Sequence, residues 1–577
     1  MNKIKDIRSF IDNDLIEDFT NASDKELSVD KKITSKFMKK IYKEAVRKKP
    51  ILIISDYDPD GKFGGLILYN YIKLLESRVN GVAVDDSNVE TYYTKREHGY
   101  TMPKEIFDSL SKEYSLVVFV DTGSSYEYFD ENTKNVLVID HHPTTKESLP
   151  FVYNPSRNNE VSTSAGKVVY DMTMAFEEEM REYFGKSKIK PHDVLKINKM
   201  FAGISLCADM AEMSFENKQF LKESLELMTD NRDKLTWVSS IRSKNITSLD
   251  LSFNIINKIN SYSRMGKDLK DIEGIFKVGL DSKNLRHLSS STKVKKLFNN
   301  LNSVHEERKR ITATLEKKID GVLLNEYIAD KSLVVLKIDN EYSGINGLLS
   351  QNVLNKTAKS NIVLSYDEKR KCYVGSGRGS VVKDALQEFL TANKELEKHV
   401  KFGGHVMAIG MAIDDNAIDE FMDKINSFTF SEKIQKQAQY SNERFYYCDG
   451  VSNFKEAVSR YNTLSPTTNV QERYYAIIEN YKSLGIVEKN NGWFCSTIKD
   501  SQSCISIYFK KEDIQTISTN QPIVVEITNQ DKGNYFIEHK QYDSLLLDEC
   551  KEQRAVNETG EDNAIDDDLS IESLVSR

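Results

Sequence analysis

Over the first 225 residues, apolar positions fall in short unbroken runs separated by segments of helical spacing. Ile51-Leu-Ile-Ile54, Leu116-Val-Val-Phe-Val120 and Val136-Leu-Val-Ile139 carry no polar alternation, which is the pattern of strands buried on both faces of a parallel sheet. Val89–Tyr93 reads as a further strand and Phe63–Leu75 as a helix. Each of the three strong runs leads into acidic residues: Asp56, Asp58 and Asp60 after the first, Asp121 after the second, and Asp140 with His141 and His142 after the third. In open α/β sheets ligands bind outside the carboxyl ends of the strands, so the pattern delivers all of these side chains to one edge.

Beyond this point the pattern changes. Residues 226–325 are polar and helix-rich, and Leu297, Leu301, Val304, Ile311, Leu315 and Ile319 recur on one helical face, with Gly321 as the expected stop. Residues 326–430 return to β runs alternating with helices, at Ser332–Ile338 and Asn361–Ser365, and predict a second, smaller α/β domain. Residues 440–547 predict a β-rich accessory domain and 548–577 a disordered acidic tail. Ahead of the first sheet, 1–48 read as a helical extension ended by Pro50, which leaves 49–225 as the domain of the acidic strand ends. The expected fold class is α/β, in several domains.

Composition narrows the class. No apolar run approaches the ~18 to 20 residues a membrane-spanning helix needs, and Met-Asn-Lys-Ile-Lys-Asp at the start lacks a signal-peptide core, so a cytoplasmic protein without membrane attachment is expected. The six cysteines show no CxxC spacing, which speaks against a structural zinc site and a disulfide framework. Of the net charge of −8, residues from Asp548 onward contribute −7. The near-neutral remainder has room for a basic channel.

The run Asp56-Tyr-Asp58-Pro-Asp60-Gly61 places three carboxylates on one turn, and such crowding calls for a cation or for open water. An EF-hand shares this spacing but needs a Glu at the twelfth position, where this chain has Ile67. A solvated acidic turn is the plain alternative, and the other two acid-tipped strands count against it. Asp209 follows the apolar stretch from Phe201 and needs a cation or a hydrogen-bonding partner if buried. Small residues in Ser162–Tyr170 suit a helix that begins close to an anion. Arg96 suits a phosphate ligand or a surface ion pair equally.

Taken in order, Asp56-Tyr-Asp58-Pro-Asp60-Gly, Asp121, Asp140-His141-His142 and Asp209 resemble the four motifs of the DHH phosphoesterase superfamily. Glu216-Asn-Lys, Ile259–Gly266, Gly375-Ser-Gly-Arg378 and Gly403-Gly-His405 with Gly410 narrow the likeness, over roughly 50–425, to its RecJ-type single-strand exonucleases. The chain departs from that pattern at Ser261, Tyr262 and Ser263, and at Ser343–Gly347, which bears on substrate preference.

The resemblance implies a DHH domain, a smaller DHHA1 domain beyond a long helix, and an OB-like module offering a single-strand groove. It implies two Mn²⁺ or Mg²⁺ ions, one on Asp56 and Asp58, the other on Asp60, His141 and Asp209, with Asp121 between them. His142 would act on the scissile phosphate in a catalytic group with Asp140 and Asp121. Arg378, Arg264 and Arg96, with Ser376, Gly403, Gly404 and His405, would bind substrate. The implied activity is 5′-to-3′ hydrolysis of single-stranded DNA, with a single-strand-binding protein or a helicase as candidate partners. A phosphodiesterase for short oligonucleotides or cyclic dinucleotides, and an inactive nucleic-acid-binding scaffold, are the alternatives.

Overall fold

The structure is a computed structural model that describes residues 5–6, 29–81, 87–98, 101–157, 163–187, 192–209, 211, 214–232, 235–241, 243–280, 285–287, 292–325, 331–357, 359–405, 407–437, 443–464, 473–489, 492–521, 523–526 and 534–536. The acidic tail and most of the N-terminal extension lie outside these residues. The chain divides into two compact units, one of residues 18–441 with 464–470 and one of 1–17, 442–463 and 471–577.

The larger unit opens with helix α1 (Lys31–Val46), capped by Asp30, and then builds a five-stranded parallel sheet. Its strands are β1 (Ile51–Ser55), β2 (Val89–Tyr93), β3 (Leu116–Val120), β4 (Val136–Ile139) and β5 (Val152–Tyr153), in the order β2-β1-β3-β4-β5. Strands β1, β3 and β4 are buried at every position, as their unbroken apolar runs require. The chain steps from β1 outward to β2 and then returns to the other side of β1 for β3. This reversal opens a crevice at the carboxyl ends of β1 and β3, where open α/β sheets bind ligands.

Helix α2 (Pro59–Asn80) begins directly after β1: Asp58 caps it, Pro59 occupies its first turn, and Gly81 ends it at φ +69°. Helices α3 (Ala165–Glu179) and α4 (His192–Ala208) pack with α2 over the sheet through Leu66, Val169, Phe176, Phe201 and Ile204, all buried. Helix α5 (Phe215–Asp230) packs on α4, and α6 (Asn257–Arg264) follows a π-helical turn at Ser252–Ile256. The connector helix α7 (Thr292–Asn325) runs through Gly321, which does not stop it. Its buried face is the expected one, with Leu301, Val304, Leu315 and Ile319 inside and Leu297 and Ile311 packed against the core.

A second five-stranded sheet completes this unit. Strands β6 (Val334–Lys337), β7 (Asn361–Asp367), β8 (Cys372–Arg378), β9 (Val400–His405) and β10 (Ala408–Asp414) lie in the order β9-β10-β8-β7-β6, with only β6 and β7 parallel. Helix α8 (Asn346–Thr357) covers one face. Leu349 and Val353 of α8, Val334, Leu336 and Val363 join the core of the first sheet, so the two sheets share one apolar body. Helix α9 (Val382–Ala392) covers the other face over Ile362, Leu364 and Ile409.

The smaller unit is β-rich, as its sequence pattern predicts. It holds two open four-stranded sheets, one of Lys5–Asp6, Glu443–Asp449, Arg473–Glu479 and Ile523–Glu526, the other of Lys482–Glu488, Phe494–Lys499, Cys504–Phe509 and Asn534–Phe536. Residues 5–6 thus form a strand pairing in parallel with Tyr446 and Tyr447, where helix was expected. No helix among the described residues is long and apolar enough to cross a membrane.

Candidate metal centre and its basic flank

The acidic residues at the ends of β1, β3 and β4 converge with Asp209 from the end of α4. Three overlapping groups have ligand atoms within 4.8 Å of one another: Asp56, Asp58 and Asp121; Asp60, His141 and Asp209; and Asp121, His141 and His142. Asp121 belongs to two groups, and its Oδ1 lies 3.1 Å from His141 Nε2. His141 is wedged among carboxylates, with Nε2 3.3 Å from Asp60 Oδ2 and Nδ1 3.7 Å from Asp209 Oδ2.

Neighbouring hydroxyls and N–H groups aim three of these carboxylates, Asp56, Asp58 and Asp60. Thr94 donates to Asp56 Oδ1 at 2.7 Å, and the Gly61 N–H to Asp58 Oδ1 at 3.0 Å. Gly61 cannot be larger, because a Cβ there would sit 2.6 Å from the Asp56 backbone nitrogen. Asp60 receives the Ala165 N–H on Oδ2 at 2.9 Å, and on Oδ1 the Gly166 N–H at 3.0 Å and the Ser205 hydroxyl. The helix start in the small-residue segment therefore does meet an anion, and that anion is the Asp60 carboxylate. Asp121 adopts φ +64°, a strained value for a residue with a side chain.

The electrostatics are those of like charges gathered away from water. Burial and the neighbouring Asp58 push the Asp56 carboxyl up to about 7. Burial likewise raises Asp58, with Asp60 adding to it, and raises Asp121 well above the usual range, with Asp60 and Asp58 adding to it. Asp209 rises to about 7 through burial, against the pull of His141. Asp60 is the exception: against burial, His141, Ser205 and Gly166 hold it low. A divalent cation with oxygen and imidazole ligands answers this excess of negative charge, and the donor set fits Mn²⁺ or Mg²⁺ chemistry.

Asp140 stands apart. Its Oδ2 accepts from the Ser124 N–H at 3.0 Å and from the Ser124 hydroxyl, and its Oδ1 from the His141 and His142 N–H groups at 2.8 and 3.2 Å. The same Oδ1 lies 2.8 Å from His142 Nδ1. Burial pulls the His142 imidazole down, but the Asp140 carboxylate beside it raises it to about 10. His142 is half exposed, with its Nδ1 tied to Asp140.

Basic side chains flank the metal centre. The Arg96 guanidinium lies 4.5 Å from the centroid of the Tyr57 ring, and its Nε donates to Ser263 Oγ at 3.2 Å. Arg264 Nη1 donates to the Gly344 carbonyl at 2.7 Å. Burial, Arg96 and Arg378 all disfavour its charge, and because a guanidinium stays protonated in proteins, this marks a site that an anion would relieve. A Cβ built on Gly347, in the first turn of α8, would lie 3.3 Å from Arg378 Nη2, 3.5 Å from Ser376 Oγ and 3.6 Å from Arg264 Nη1. Arg264, Ser376 and Arg378 therefore gather at the amino end of a helix, the arrangement that binds phosphate.

Gly403 and Gly404 do not join them. Gly403 pairs with Gly410, which pairs with Ser376, so Gly403 stands two strands away, roughly 10 Å. The His405 side chain lies outside what the structure describes. Gly375 and Gly377 are strand residues of β8, and a Cβ at either would lie 2.5 Å from Leu364 or Val382, so packing is what requires their smallness. Thr94, Ser124, Ser164 and Ser205 were not singled out from sequence, since a lone hydroxyl carries no pattern. Ser164 and Ser205 left a trace, the first within the small-residue segment Ser162–Tyr170 and the second one helical turn before Asp209.

Comparison with known proteins agrees with this geometry. Residues 50–208 match the model of the DHH family, N-terminal domain, and 330–429 that of the DHHA1 domain. The single-stranded-DNA-specific exonuclease RecJ of Bacillus subtilis (strain 168) is 21% identical over 488 residues, which is 82% of this chain and 58% of that protein. The chain thus spans less than two thirds of that relative's length. RecJ of Thermus thermophilus in complex with Mn²⁺ superposes with a TM-score of 0.66 at 16% identity, over 91% of this chain and 74% of that one. Its complex with Mg²⁺ gives 0.59 at 16%, over 91% and 72%. With both family models matched in order, residues 50–208 are similar to a DHH-family N-terminal domain and 330–429 to a DHHA1 domain, and the fold is that of the RecJ structures.

Proposed function

We propose that the chain is a metal-dependent exonuclease that hydrolyses single-stranded DNA from its 5′ end. The observation that carries the proposal is the convergence of Asp56, Asp58, Asp60, Asp121, His141 and Asp209 at one sheet edge, beside the guanidiniums of Arg96, Arg264 and Arg378. Asp56 and Asp58 would hold one Mn²⁺ or Mg²⁺, Asp60, His141 and Asp209 the second, and Asp121 would serve both. Such a pair of ions, when bound, activates water and offsets charge on a phosphodiester.

The protein's own groups do the rest. Asp140 fixes the ring of His142 and keeps it protonated, so His142 can donate to a phosphoryl oxygen as its charge grows. Arg264, Ser376 and Arg378, at the start of α8, would grip a terminal 5′-phosphate. That contact orients the strand and sets which bond meets the ions.

The test uses single strands labelled at either end, with Mn²⁺, alongside a cyclic dinucleotide. Mononucleotides released from the 5′ end support the proposal. Cleavage of the cyclic dinucleotide alone would replace it with a small-substrate phosphodiesterase, and binding of single strands without cleavage of any substrate would replace it with a scaffold.

A further inference from the structure

Asp60 differs from the other acids of the three ligand groups in how completely its oxygens are occupied. A carboxylate offers about four lone-pair directions, two on each oxygen. On Oδ1 both are filled, by the Gly166 N–H at 3.0 Å, which is shared with Ser205 Oγ at the same distance, and by the Ser205 hydroxyl. On Oδ2 one is filled by the Ala165 N–H at 2.9 Å, and the other faces His141 Nε2 at 3.3 Å.

The clamp is itself held. Ser164 Oγ lies 2.9 Å from Ser205 Oγ, and Ser164 caps α3 by accepting from the Lys167 N–H. With the Ser205 proton directed at Asp60, the Ser164 hydroxyl must donate to Ser205, so the two hydroxyls point one way along a chain that ends on Oδ1. Asp60, Ser164 and Ser205 are all buried, at 1%, 0% and 0% exposure, so water cannot stand in for either hydroxyl. Position 166 must be glycine for this to form, because a Cβ there would lie 2.2 Å from Ser205 Oγ. Helix α4 supplies both Ser205 and, one turn on, Asp209.

We propose that Ser205 is a positioning residue that restricts Asp60 to single-oxygen coordination and thereby biases the Asp60–His141–Asp209 site against Ca²⁺. The inference rests on the reading of Asp60 as a cation ligand. Calcium takes six to eight oxygens and favours bidentate carboxylates, whereas Mg²⁺, and Mn²⁺ in an octahedral oxygen-rich site, are served by single-oxygen ligands. With Oδ1 committed to Ser205 and Gly166, Asp60 has only Oδ2 to offer. Removing the hydroxyl frees one direction on Oδ1 and lets the carboxylate turn to present both oxygens.

The test is a titration of the metal-free full chain with Mn²⁺, followed by the loss of the free-ion paramagnetic signal, with Ca²⁺ as competitor. Ser205→Ala is expected to raise the Ca²⁺-to-Mn²⁺ affinity ratio at one of two sites by at least about tenfold, the scale on which groups supporting a ligand act, and to leave the other site unchanged. Two Mn²⁺ bound by wild type with an unchanged ratio in Ser205→Ala would overturn this inference while leaving the two-ion reading intact. No Mn²⁺ bound by wild type would overturn both. Should Ser205→Ala lose its cooperative thermal transition, Ser164→Ala, which releases Ser205 without touching Asp60, is expected to move the ratio in the same direction, and no movement there would overturn the inference.

Discussion

Asp121 shows what single residues contribute, because it holds a left-handed backbone at φ +64° and stands between two groups of ligands. Asparagine tolerates that conformation well, so Asp121→Asn keeps the strand end while removing the shared charge. The expected outcome is a loss of at least about 10³-fold in hydrolysis, near 4 kcal/mol of transition-state stabilisation, with a melting temperature in the absence of metal no lower than that of wild type, since the charge removed is one that burial and its neighbours disfavour. Activity within tenfold of wild type would end the shared-ligand assignment. A second residue bears on stability. Asp171 is 2% exposed, its Oδ1 meets no hydrogen-bond partner among the described residues, and burial raises it to about 6 against the pull of Lys167. An acid raised in the folded state stabilises below its unfolded value near 4, and that contribution is lost as pH climbs through 6. Between about pH 4 and 6, wild type should therefore lose stability by up to ~1.4 kcal/mol per pH unit relative to Asp171→Asn. Parallel curves from chemical denaturation would refute the assignment.

Elements act here through their ends. The start of α3 aims N–H groups at Asp60, the cap of α2 is Asp58, and the first turn of α8 gathers Arg264, Ser376 and Arg378. The junction between α6 and the turn before α8 is also tight. A Cβ at Gly344 would meet the Arg264 carbonyl oxygen at 2.6 Å and its Cα at 3.0 Å, both backbone atoms that cannot swing aside. Gly344→Ala should therefore cost about 1 to 3 kcal/mol, the range of overpacking in a tight site, and should move Arg264 away from α8. Thermal melting reads the first effect, and a raised KM for 5′-phosphorylated single strands reads the second. An alanine variant equal to wild type in both would show that the two elements are not held together.

At the scale of the larger unit, the second sheet brings none of the acids but carries two of the residues, Ser376 and Arg378, that gather at the first turn of α8. It also grips the first sheet directly. The turn between β7 and β8 sends Arg370 to the Arg96 carbonyl and pairs Lys369 with Glu97 at 2.6 Å. The carbonyl of Arg96 is thus held from the second sheet, while its guanidinium lies over Tyr57 between two candidate ligands. If the terminal phosphate sits at Arg378, a charged bidentate contact worth ~1.5 to 3 kcal/mol is at stake. Arg378→Ala should then slow cleavage of 5′-phosphorylated strands by roughly ten- to a hundredfold, with little effect on 5′-hydroxyl strands. Equal losses on both would place Arg378 at an internal phosphate or in a structural role.

Local pattern alone determined the strands that carry the acids and their arrival at one edge, because strands buried on both faces must be continuously apolar and parallel strands share a carboxyl end. The long connector was legible for the same reason, as a stripe repeating every 3.6 residues. What tertiary structure decided are relations between residues far apart in the chain, on which local periodicity is silent. Gly321 did not end α7, and residues 5–6 became a strand because a partner lies some 440 positions away. Ser205 reached Asp60 across 145 positions and Arg264 met Gly344 across 80. A hydroxyl or a glycine carries too little chemistry to announce such a role. Its meaning comes from the atom that folding places against it.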